Sequence, residues 1–92
     1  MARFEMADGA TLGEANADVF YELGMMYSIG HSVPTDFVSA HKWFNIAASR
    51  AKSADELADI ATHHHKLAHV MTSSQLAEAQ KLAREWRAKP ER

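Results

Sequence analysis

A chain of 92 residues with 47% apolar residues, 24% charged residues and a formal charge of −2 has the balance of one globular domain and no room for a second. The lack of cysteine excludes a disulfide framework and every thiolate metal site, so helix packing, a partner chain or both must hold the small core. No apolar run approaches the roughly 20 residues of a membrane span and no secretory signal pattern opens the sequence, so a cytoplasmic location is expected.

Charge is unevenly spread. At the start, Arg3 alone opposes Glu5, Asp8, Glu14, Asp18 and Glu22, whereas at the end Lys81, Arg84, Arg87, Lys89 and Arg92 outnumber Glu85 and Glu91. The near-neutral total gives no general drive toward nucleic acid or a membrane surface, and neither partner is expected.

Residues 1–16 mix small, polar and glycine positions without a sustained period and predict a flexible N-terminal arm. From Asp18 onward, Val19, Phe20, Leu23, Met26 and Tyr27 fall at helical spacing, and Gly30 supplies a left-handed stop, which predicts a helix over 17–29. His31 to Pro34 form the connection, and Thr35 or Asp36 can cap a second helix over 36–50. Phe37, Ala40, Phe44, Ala47 and Ala48 form its apolar stripe, with Trp43 beside it. Ser53 and Glu56 have the spacing of a capping box that opens a third helix, 54–70. Thr72 and Gln75 repeat that spacing for a fourth helix, 73–88, which ends before Pro90 with Arg84, Arg87 and Lys89 near its negative dipole end. No segment alternates with period two over the length of a strand. The fold class is therefore all-α, with four helices in two antiparallel hairpins, 17–51 and 52–90.

Leu23-Gly24, Tyr27, Gly30, Val33, Asp36, Ala40, Trp43-Phe44 and Ala47-Ala48 together span both helices and the turn of the first hairpin. In this spacing the chain resembles the Sel-one-like repeat, a relative of the tetratricopeptide repeat, over about a third of its length. Met71-Thr72, Gln75, Ala79-Gln80 and Ala83-Arg84-Glu85-Trp86 also look like the segment that follows such a repeat in short bacterial proteins of the family. Two positions depart from the pattern. Ser32 stands where the family usually places a second glycine, and Ala51 replaces the glycine that usually ends the second helix, leaving the boundary with the third helix open. The resemblance implies an α-solenoid unit serving as an adaptor or scaffold, in bacteria often linked to signalling or envelope processes.

The residues themselves are consistent with that. A glycine inside a helix costs about 1 kcal/mol relative to alanine, so Gly24 predicts a close neighbouring helix, with Ala40, Ala47 and Ala48 as its small partners. One repeat cannot bury both of its apolar sides. The third and fourth helices are expected to cap the hairpin through Leu57, Ile60, Ala61, Leu67, Met71, Leu76, Ala79, Leu82 and Trp86, or a second chain covers what remains, a homodimer being the commonest solution. Glu22, Met25, Met26 and Ile29 extend apolar character far round the first helix and are the candidate partner-binding residues.

Among the six histidines, His63, His64, His65 and His69 lie together. His65 and His69 share a helix face at the spacing by which two imidazoles grip one ion, while a third ligand would have to come from His31, His41, an acid or another subunit. His64 falls within the apolar stripe of its helix. No nucleophile elbow, phosphate-cradling glycine loop or catalytic pair of carboxylates is present, so an enzyme is not expected and no cofactor is assigned. The sequence thus predicts a noncatalytic protein-interaction module that self-associates. The alternative is a metal-binding or pH-sensing protein that uses the His63 to His69 cluster.

Overall fold

A computed structural model describes residues 15–88, which contain four α-helices and no strand. These are α1 (Ala17–Ile29), α2 (Phe37–Ser49), α3 (Ala54–Ala68) and α4 (Ser73–Ala88). The all-α reading and the count of four helices hold. Of the expected N-terminal arm, residues 1–14 lie outside the described residues. Ala15 and Asn16 do not belong to an arm: Ala15 packs on the core and Asn16 caps α1, its side chain accepting from the Asp18 amide at 3.1 Å.

Local signals account for the helix ends. Gly30 takes a left-handed conformation at φ 80°, and the amides of Gly30 and His31 both donate to the Met26 carbonyl at the end of α1. A Cβ at Gly30 would also stand 2.5 Å from Thr35 Oγ1. Ser32 is the described non-glycine residue at positive φ, 73°, so the backbone is left-handed at the position where a second glycine would be expected. Asp36, not Thr35, caps α2, one carboxylate oxygen accepting from the Ser39 amide at 3.1 Å and the other from its hydroxyl at 2.8 Å. The second helix ends at Ser49 despite the missing glycine, because Arg50 leaves helical geometry at φ −109°, ψ 3°.

Thr72 and Gln75 form a reciprocal capping box, with each side chain bonded to the other's amide at 3.1 and 2.9 Å. The Ser53 box differs. Ser53 accepts from the Glu56 amide at 3.0 Å, but the Glu56 carboxylate takes the amide of Lys52, one residue earlier than expected. α3 stops at Ala68, two residues short of the predicted end, where residues 69–71 form a turn into the next helix.

The second helix is the hub, approached closely by α1, α3 and α4, whereas α3 and α4 do not pair along their backbones. α1 and α2 are antiparallel. Arg50 donates to the Ala15 carbonyl at one end, Phe44 lies against Gly24 in the middle, and Gly30 meets Thr35 at the other end. The residue packed on Gly24 is the Phe44 ring, where alanines were expected. A Cβ at Gly24 would stand 2.5 Å from Phe44 Cδ1 and Cε1, so the missing side chain makes room for an aromatic one.

Two apolar clusters form the core. The first joins Ala17, Phe20, Ile46, Ala47, Ile60 and Ala83, and the second Ala40, Phe44, Leu67, Met71 and Ala79. Ala47 with Ala83 in one cluster, and Ala40 with Ala79 in the other, explain how α2 and α4 come close: neither side of the contact has bulk. Of the expected capping residues, Ala61 and Leu57 do not cover the hairpin. Both face solvent, Leu57 at 45% exposure, because α3 meets α2 along a narrow stripe through Ile60 and Leu67.

Candidate functional site

The third helix presents its histidines in three directions, so the cluster seen in the sequence does not converge on one point. His63 turns inward. Its Nδ1 lies 3.2 Å from both the Tyr21 hydroxyl and the Asp59 carbonyl, and its ring packs against Tyr21 and Phe44. A protonated Nδ1 donates to Asp59, and an unprotonated one accepts from Tyr21. Burial, with Asp59 and Glu22 nearby, raises the Tyr21 hydroxyl above its usual value and keeps it a neutral donor.

His64 meets His41 of α2, the rings 4.1 Å apart between centroids. His41 is 3% exposed, and His41 Nδ1 and His64 Nε2 are buried without hydrogen-bond partners. Burial, reinforced by its histidine neighbour, lowers His41 to about 4, and His64 is lowered for the same reasons, with His65 as the neighbour. Both rings are therefore neutral at physiological pH. His41, considered from sequence as a third metal ligand, is instead a core residue. An open groove lined by His41, Ala61, Thr62, His64, His65 and Ala68 runs over this pair.

His65 and His69 face outward together. Their Nε2 atoms are 3.3 Å apart and their rings stand perpendicular at 4.8 Å. Both are exposed. Among the described residues, no set of three or more His, Asp or Glu side chains is grouped to hold an ion.

The residues read from sequence as partner-binding follow one side of α1. Glu22 is exposed, Met25 packs against the second cluster, and Met26 is half-buried. Ile29 is 64% exposed, one turn beyond Met25, where the stripe runs past the end of the core. Its neighbour Ser28 lines a groove of about 230 Å³ together with Phe44, His63, Lys66, Leu67 and Val70, and Val70 is 63% exposed. Sequence reasoning missed Val70, which was placed inside a longer third helix. It also missed Arg50, whose guanidinium lies 5.2 Å from the Phe20 ring centre and 5.7 Å from that of Trp86 while donating to Ala15.

No protein-family pattern, curated protein or solved structure matches the chain. Among the described residues no helix is long and apolar enough to cross a membrane.

Proposed function

We propose that the chain is a noncatalytic helical interaction module of the Sel-one-like type, and that its partner is a second copy of itself. The observation that carries this reading is the exposure of large aliphatic side chains at the end of α1 and just after α3. Ile29 and Val70 are each nearly two-thirds exposed, and Val70 together with Ser28, the residue before Ile29, borders the groove floored by Phe44 and Leu67. Large aliphatic side chains with about two-thirds of their surface still open gain about 1–2 kcal/mol each when a partner covers them. Charge leans weakly the same way: α1 carries Asp18 and Glu22 and no base, while α4 carries Lys81, Arg84 and Arg87 against Glu78 and Glu85, with Lys81 paired to Glu85 within the helix. Two-fold contacts of a surface with itself are also the commonest assembly of small soluble chains.

The family likeness is supported by the interlock of Gly24 with Phe44 and by the left-handed backbone at Ser32, the position of the family's second glycine. The noncatalytic reading is supported by the fate of the histidines. The two with lowered proton affinity pack their rings against each other, His41 in the core and His64 half-buried beside it.

Light scattering coupled to size exclusion, in EDTA, tests the proposal. The unaltered chain is expected at the mass of two chains at micromolar concentration. Ile29→Glu and Val70→Glu should each shift it to one chain without changing the helical circular dichroism, since both side chains are exposed. A strict monomer at every concentration tried would overturn the reading.

A further inference from the structure

We propose that His65 and His69 are half of a divalent-metal site, for zinc or an ion of similar ligand preference, and that the same pair from a second copy completes it. The proposal deepens the self-association reading above and rests on it for the identity of the partner.

His65 lies in the last turn of α3 and His69, its C-cap, keeps right-handed helical backbone, so the two residues share one face about one turn apart, and both side chains are exposed. Their Nε2 atoms are 3.3 Å apart. Two nitrogens bound tetrahedrally to zinc, each at about 2.0–2.1 Å, are separated by roughly 3.3–3.4 Å, so this pair is already spaced as one edge of such a site. Binding needs both rings in the tautomer whose Nε2 carries no proton. Each ring then keeps one proton, on Nδ1, and turns its Nε2 lone pair to the ion.

The pair is incomplete by itself. His64 faces His41 and His63 faces Tyr21, so the neighbouring imidazoles are turned elsewhere. No third His, Asp or Glu among the described residues is grouped with the pair for an ion. Zinc held structurally takes four ligands, and two chains related by a two-fold axis through the ion supply four imidazoles. The position suits this. Val70 follows His69 directly and is 63% exposed, so pairing at the ion brings the apolar edge of one copy toward that of the other.

The full-length chain, stripped with EDTA and dialysed, is titrated with zinc chloride by calorimetry and light scattering. The expected result is one zinc per two chains, with self-association tightened at least about tenfold. His65→Ala and His69→Ala should each abolish both effects and, being surface substitutions, leave the thermal melt in EDTA unchanged. One zinc per chain without a change in mass, zinc binding that survives the double substitution, or no heat at all would each overturn the site. The two proposals fail separately. A chain that pairs in EDTA but ignores zinc sinks the metal site and spares the apolar edge. A chain monomeric in EDTA that pairs only with zinc does the reverse.

Discussion

At the scale of single residues, two backbone positions carry opposite demands that similar substitutions would confuse. Gly24 has room for nothing more: a Cβ would stand 2.5 Å from the Phe44 ring, itself fully buried. Gly24→Ala gains about 1 kcal/mol of helix propensity but overpacks a site where inserted methylenes cost about 1–3 kcal/mol, so net destabilisation is expected. Ser32 is the reverse case. Its φ of 73° costs an L-residue roughly 1–2 kcal/mol, of which glycine returns about half after its greater freedom in the unfolded chain is counted. Urea unfolding at neutral pH should give Ser32→Gly a higher midpoint and Gly24→Ala a lower one. A Gly24→Ala protein as stable as the parent would mean that Phe44 can move aside.

At the scale of elements, the contact between α2 and α3 is where pH acts. His41 titrates near 6.5 in the unfolded chain and at about 4 when folded, because burial and His64 oppose its charge. Well above pH 6.5 it is neutral in both states and contributes nothing to a pH slope. As pH falls from 6.5 toward 4 the unfolded chain takes up the proton first, so folding stability falls, by about 3 kcal/mol in all, and levels off below. His64, lowered in the same direction, adds to the loss. His41→Phe keeps a planar ring and removes both the charge and the orphaned Nδ1, so its stability should vary much less between pH 7 and 4 and should be equal or greater at pH 7. Parallel pH profiles for the two proteins would show that acid acts elsewhere.

The same contact shows what a single sequence can reveal. Helix ends were legible because the signals are local: Gly30, Asp36, Ser53 and Thr72 act on amides and carbonyls a few residues away. The apolar placement of His64 was also legible, from its place in the helical stripe. Its partner was not, because His41 and His64 meet only once α3 is laid on α2, and no local rule fixes the angle of that crossing. Gly24 announced a close neighbour without naming it, since the alanines and Phe44 alternate along one helix and register alone decides which reaches the glycine. Leu57 and Ala61 failed for a related reason: the stripe was drawn wider than the surface α2 could offer it.

At the scale of the whole molecule, the question is whether four helices of which only one is a hub melt as one unit. Phe20 of α1 is fully buried, stacked on Trp43 of α2 at 5.8 Å and edge-on to Trp86 of α4 at 5.2 Å. Both tryptophans of the chain therefore report on this first cluster. The second cluster ties Leu67 of α3 to Phe44 of α2 and Ala79 of α4, and His63 meets Tyr21 of α1, so α3 is braced by side chains of all three other helices even though its backbone runs closest to α2. That shared bracing predicts a single transition, with tryptophan fluorescence and helical circular dichroism following the same urea curve. Phe20→Ala should lower stability by about 3–5 kcal/mol, a large part of the roughly 5–14 kcal/mol expected for a chain of this size, while leaving the two curves coincident. If the fluorescence change in Phe20→Ala came at lower urea than the loss of helix, the two clusters would be separate folding units, and α2 would not couple them.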